Sequence, residues 1–137
     1  MKRCPCGSDK AYRDCCAPLH HGAALAASAE ALMRSRYCAY VLKLGDYLSA
    51  TWHPSSRPQG LDISHDETPW QRLQIIDTVA GSENDDEGVV EFAAYFAGGQ
   101  LHERSRFVKE GGQWFYVDGE LLPPVAAAKV GRNEWLE

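Results

Sequence analysis

Four of the five cysteines in this 137-residue chain fall within its first sixteen residues. They are arranged as Cys4-Pro5-Cys6, eight intervening residues, then Cys15-Cys16. A disulfide between the adjacent Cys15 and Cys16 would close a strained ring, a Cys-x-x-Cys redox pair is absent, and an odd total does not close a disulfide framework. Clustered thiols in a reducing compartment point to a metal. Zinc takes about four such ligands in a tetrahedron, commonly two from a tight turn and two from a second element. Pro5 restrains the turn, Gly7 permits a left-handed residue in it, and residues 9–14 are long enough for about one helical turn that returns Cys15 and Cys16 to the metal. Ser8 is the expected N-cap of that turn, and Tyr12 the side chain packed beside the site. One structural zinc on Cys4, Cys6, Cys15 and Cys16 is the expectation. A shell closed by four cysteines leaves no position for water or substrate, so chemistry at the metal is not expected and the chain reads as a binding protein before an enzyme. His20 and His21 read as solvated linker and Cys38 as an ordinary small helix residue, none of them a further ligand.

The remaining length suits one small domain, with enough hydrophobic residues, 45%, to build its core. Fourteen Lys and Arg against nineteen Asp and Glu give a net charge of −5, which disfavours a broad nucleic-acid surface. No run approaches the ~18–20 apolar residues of a membrane span. Lys2 and Arg3 are not followed by the apolar stretch of a secretory signal, so the cytoplasm is the expected location.

Three segments follow: a zinc hook over 1–19, an α+β domain over 20–122 and a flexible tail over 123–137. Ala29, Met33, Tyr37, Tyr40 and Leu44 recur at helical steps, with Glu30 in the first turn and Gly45 as the stop. Residues 46–52 read as a second short helix with Trp52 inward. Four strands follow, over 70–80, 87–97, 100–110 and 113–118. Gly98-Gly99 and Gly111-Gly112 read as two-residue hairpin turns. That register sets Glu91 against Arg106, Phe92 against Ser105, Ala94 against Glu103 and Ser105 against Asp118. Val90, Phe92, Ala94, Phe107, Trp114 and Tyr116 then share the core face, while Glu91, His102, Arg104 and Arg106 share the other.

Glu103, Ser105 and Asp118 interrupt that apolar face. Two readings stand. They line a polar pocket together with Tyr116 and His53, or a bulge shifts the register and turns them outward.

The run CPCGS–DKAYRDCC resembles the SEC-C motif, the short zinc-binding hook found at the C-terminus of the preprotein translocase ATPase and in many bacterial proteins. The resemblance implies zinc on the four cysteines named above and docking towards other macromolecules. The family pattern often has Gly where this chain has Asp9. Helices followed by a four-stranded meander are similar to the nuclear-transport-factor-2-like cone, two to three helices packed on a curved antiparallel sheet. LMRSRYCAYV, DYLSATWHPS, ERSRF and GGQWFYVDG resemble the YchJ-like family of bacterial proteins, which set a SEC-C hook ahead of such a cone. Members of that family often continue from Gly-Arg-Asn into a second cysteine hook. Here Gly131-Arg132-Asn133 leads to no cysteine, so one metal ion is expected.

Three functions follow as expectations. The first is an adaptor that docks through its hook to an unidentified protein or ribonucleoprotein, with Lys2, Arg3, Lys10 and Arg13 meeting an acidic partner. The second is a small-molecule binder or enzyme using the cone pocket. The third is a purely structural zinc beside a cone that forms a homodimer through its sheet.

Overall fold

The computed structural model describes residues 2–125. A 3-10 turn, Tyr12–Asp14, and three helices, α1 (Ala17–His20), α2 (Ala29–Leu42) and α3 (Gly45–Ala50), precede four strands. These are β1 (Trp70–Ala80), β2 (Glu87–Phe96), β3 (Gly99–Glu110) and β4 (Gln113–Leu121), paired antiparallel as the meander β1-β2-β3-β4.

The long helix begins where Ser28 Oγ accepts from Ala31 N at 3.0 Å, satisfying one of the amides that a helix start leaves open. Ala29 N donates to Gly81 O, which ties the same end to the β1–β2 loop. Gly45 is not the stop that its position suggests. The helix ends two residues sooner, with Lys43 in the left-handed region at φ 62, and Gly45 opens α3 instead. Ala29, Leu32, Met33 and Tyr37 pack onto Leu73, Val90, Phe92, Ala94, Phe107 and Trp114 from the sheet, which forms the main core. The segment 51–53 then runs along β4: Tyr116 N donates to Thr51 O, His53 N donates to Tyr116 O, and Trp52 bridges to Tyr116 in parallel.

Two registers differ from the sequence expectation. In the β2–β3 hairpin Phe96 pairs with Gly99, so the turn is Ala97-Gly98, with Gly98 at φ 95. Gly99 is needed inside the strand, because a Cβ there would lie 3.0 Å from the Phe96 ring. Glu91 consequently opposes Arg104, Phe92 opposes Glu103 and Ala94 opposes Leu101. The displacement is by two residues, so every side chain keeps its expected face. In the β3–β4 hairpin the expected pairing holds from Glu110↔Gln113 to Phe107↔Tyr116, after which a bulge sets Arg106 against Asp118 and Ser105 against Gly119. That one-residue change turns Asp118 to the outer face.

Candidate functional site

The hook is a small hairpin. Arg3 bridges to Ala11, Cys4 N donates to Lys10 O and Tyr12 N donates to Lys2 O. Gly7, at φ 86, makes the turn after Cys6. Asp9 also has a positive φ, 70, which explains why a glycine would suit that position and why Asp, tolerant of this region, is accepted. Ser8 does not cap the 3-10 turn. Its Oγ accepts from Lys10 N and lies 3.1 Å from Cys15 Sγ, so it supports a ligand rather than a helix.

The sulfurs of Cys4, Cys6, Cys15 and Cys16 all lie within 4.8 Å of one another, and three of the four residues are buried. Cys6 and Cys15 are 3.6 Å apart, Cys15 and Cys16 4.0 Å. The environment splits the thiols. Hydrogen bonding from the Cys16 thiol, then from Ser8, holds Cys6 down to about 4, while burial pushes Cys4 up to about 12. Cys16 is raised because it donates to Cys38 and Cys6. Four thiols packed this tightly cannot all ionise side by side, whereas a divalent cation among them would let them do so. This donor set fits a metal ion.

The hook is fastened to α2. Arg34 Nη1 donates to Cys6 O at 2.7 Å, and Arg34 Nε pairs with Glu30. His20 is not free linker: Nε2 donates to Ser35 O at 2.8 Å and Nδ1 accepts from Tyr12 OH at 2.7 Å, a neutral arrangement that burial favours by lowering its pKa. His21 is exposed. Cys38 is not remote from the site either. It is fully buried, with Sγ 3.8 Å from that of Cys4. A cysteine spaced far away in sequence carries no local signal that it joins a cluster, so only the packing of α2 reveals it.

The second polar cluster lies between α2 and the sheet, around a cavity of about 190 Å³. Of the residues expected there, Glu103, Ser105 and Tyr116 line it. Ser105 Oγ and Tyr116 OH both donate to Glu103 Oε2, at 2.7 and 2.9 Å. Asp118 is elsewhere, paired through both oxygens with Arg106 on the outer face at 2.8 and 2.9 Å. His53 is also elsewhere, against Ser55 and Glu110. Neighbours along an extended segment point to opposite sides, so Trp52 facing the cavity turns His53 away. The sequence reading missed Arg36 and Trp70, both lining residues. Arg36 is 3% exposed, and its Nη1 donates to Leu48 O and Thr51 Oγ1.

The middle nuclear-transport-factor-2-like domain of YchJ matches residues 28–119, and the SEC-C motif matches residues 2–18. The chain belongs to the YchJ-like family. A UPF0225 protein of Streptomyces coelicolor is 50% identical over 119 residues, covering 87% of this chain and 95% of that one. One from Vibrio parahaemolyticus is 43% identical over 150 residues, covering 96% and 89%. The solution structure of a SEC-C motif containing protein from Rhodopseudomonas palustris superposes with a TM-score of 0.76 at 40% identity, covering 88% of this chain and 98% of that one. A crystal structure of such a protein from Psychrobacter arcticus gives 0.74 at 30% identity, covering 92% and 86%. The fold is therefore a SEC-C hook ahead of a nuclear-transport-factor-2-like domain. Among the described residues no helix is long and apolar enough to cross a membrane.

Proposed function

We propose that this YchJ-like chain is a zinc-binding adaptor that docks to a protein or ribonucleoprotein through its hook. The observation that carries the reading is the mutual approach of four cysteine sulfurs to within 4.8 Å. Zinc bound to four thiolates at about 2.3 Å requires sulfur separations of about 3.8 Å, and the neighbouring pairs here stand at 3.6 and 4.0 Å. Cys4, Cys6, Cys15 and Cys16 would hold the ion and residues 1–19 would form the unit it organises. The ion supplies a structural cross-link, with no open position for a substrate. Lys2, Arg3, Lys10 and Arg13 are all exposed on this unit, which suits an acidic partner in the cytoplasm.

Affinity capture from extract tests the reading when the metal-loaded protein is compared with Cys15→Ser and with Lys10→Glu/Arg13→Glu. The expected result is about one zinc per chain in the parent, and a bound partner that both variants lose. Equal recovery by a folded, zinc-free variant overturns it.

The fastening of the hook to α2 favours a second reading, in which the metal only stabilises the molecule and the cone pairs through its sheet. Ile76 and Val79 are exposed on the edge strand β1, and a salt-resistant dimer by light scattering is what this alternative requires.

A further inference from the structure

All five thiols are free and gather in one place, which is one more than a closed metal site uses. Cys38 comes from α2, outside the hook, and is buried beside Cys4 with the two sulfurs 3.8 Å apart. Cys6 and Cys15 make a second close pair, at 3.6 Å. The two pairs share no residue. A disulfide holds its sulfurs at about 2.0 Å, so each pair needs to close by less than about 2 Å, which side-chain rotation can supply. Cys16 is the remainder. Its sulfur lies 4.0 Å from that of Cys15, its neighbour in sequence, with which a disulfide would close a strained ring. Access orders the chemistry, because Cys15 is the one cysteine that is not buried. Ser8 Oγ takes the Lys10 N–H and lies 3.1 Å from Cys15 Sγ, so its own hydrogen is free for that sulfur.

We propose that the cluster is a modification site for hydrogen peroxide, which joins Cys6 to Cys15 and Cys4 to Cys38, releases the metal and ties the hook covalently to α2. The Cys15 thiolate attacks one peroxide oxygen. The O–O bond breaks, Cys15 becomes a sulfenic acid, and hydroxide departs and takes a proton to form water. The Cys6 sulfur then attacks the Cys15 sulfur. An S–S bond forms, and the sulfenic oxygen leaves as hydroxide and is protonated to a second water. Two electrons have passed from the two sulfurs to the peroxide. That bond withdraws two of the four ligand sulfurs, so the hook no longer holds its ion. Cys4 and Cys38 repeat the same two-electron exchange with a second peroxide, which leaves Cys16 as a thiol. Metal release presupposes that the hook holds an ion, as proposed. Without Cys38, Cys4 would lack a partner that avoids the strained pair, and nothing would keep the emptied hook on the cone. Disulfides of this kind in a reducing compartment are transient and redox-sensing, so a thiol reductant reverses the change.

The test uses the full-length, zinc-loaded protein and about two molar equivalents of hydrogen peroxide per chain, one for each disulfide. Zinc is followed with a chromogenic chelator, and the bonds are mapped by mass spectrometry of non-reduced tryptic peptides. Cys4 and Cys6 fall on peptide 4–10, Cys15 and Cys16 on 14–34, and Cys38 on 37–43. The parent is expected to lose its zinc, to show all three peptides joined, and to keep Cys16 as its one alkylatable cysteine. Dithiothreitol and fresh zinc should restore the starting state. Cys38→Ser should load zinc as the parent does and still lose it to peroxide, with peptide 37–43 detached and Cys4 alkylatable. Where that variant does not fold, Cys38→Ala carries the comparison. Zinc retained under peroxide overturns the proposal. So does zinc released with a Cys15–Cys16 bond, with bonds between chains, or with peptide 37–43 unlinked in the parent. Zinc missing before peroxide is added counts against the hook's metal alone, since the peptide map reads the pairing independently.

Discussion

Arg36 is the residue whose energetics are least like those of its neighbours. Burial disfavours its charge and lowers its pKa, with only partial relief from the surrounding tyrosines and Glu103. Removing such a cation from water costs several kcal/mol. Two hydrogen bonds to Leu48 O and Thr51 Oγ1, and two aromatic faces, return a comparable amount. Arg36→Met, similar in length and uncharged, is therefore expected to change unfolding free energy by no more than about 1 kcal/mol, against the ~3 kcal/mol that Arg36→Ala should cost by opening a void. Urea denaturation of both variants checks this, and a large loss in the Met variant would show that the guanidinium is there for stability. At this scale the sequence was uneven. The four hook cysteines were legible because their ligand spacing is local. Arg36 and Cys38 were not, because a helix position reveals its burial only when the opposing elements are known, and α2 is covered by the hook, α3 and the sheet at once.

At the scale of elements, the outer face of the sheet carries a chain of charges that the core face lacks. Arg104 pairs with Glu91 at 2.8 Å and Asp77 at 3.1 Å, and His102 bridges Glu91 Oε2 and the Pro123 carbonyl, both at 2.7 Å. Both nitrogens of His102 face acceptors, so only the protonated ring donates twice. The Pro123 carbonyl and then Glu91 raise its pKa, and His102 and then Arg104 lower that of Glu91. A raised histidine stabilises the fold fully below its unfolded value of about 6.5 and loses that contribution as pH rises through the folded value. A depressed glutamate contributes above about 4.5 and fails as pH falls. The pair thus works best between those limits, and His102→Gln should shift the difference in stability between pH 5.5 and 8.5 towards the higher pH, because only the raised histidine is lost while the lowered His20 remains. Thermal unfolding of both proteins at the two pH values checks it. Strand existence was readable from alternation and glycine pairs, but register was not fully so. Ala97-Gly98-Gly99 offers two turns, and only the Phe96 ring over Gly99 chooses between them. The bulge after Tyr116 follows no hydrophobic pattern, yet it alone separates Asp118 from Glu103 and Ser105.

On the scale of the whole molecule, the hook and cone share a boundary made by few groups. Cys38 packs behind Cys4, Arg34 holds the Cys6 carbonyl, and Tyr12, His20 and Tyr47 follow one another across the junction, the first two rings tilted and the last two edge to face. A hook without metal would have to keep four neighbouring thiols protonated or apart, and its 3-10 turn, which buries no residue of its own, has little else to hold it. Loosening it would uncover Cys38 and the His20 contact with Ser35, about one buried side chain's worth of contact, or about 2 kcal/mol. Chelation is therefore expected to lower the unfolding temperature of the cone itself by roughly 5 °C, not merely to melt the first residues. The measurement is differential scanning calorimetry with and without a zinc chelator, with near-ultraviolet circular dichroism reporting the aromatic core. Cys38→Ala should shrink the chelator-induced shift, because it removes the hook's deepest contact with α2 while leaving all four proposed ligands in place. A cone transition indifferent to chelator in the parent would mean that the two units are joined only by the chain, and that the metal acts on the hook alone.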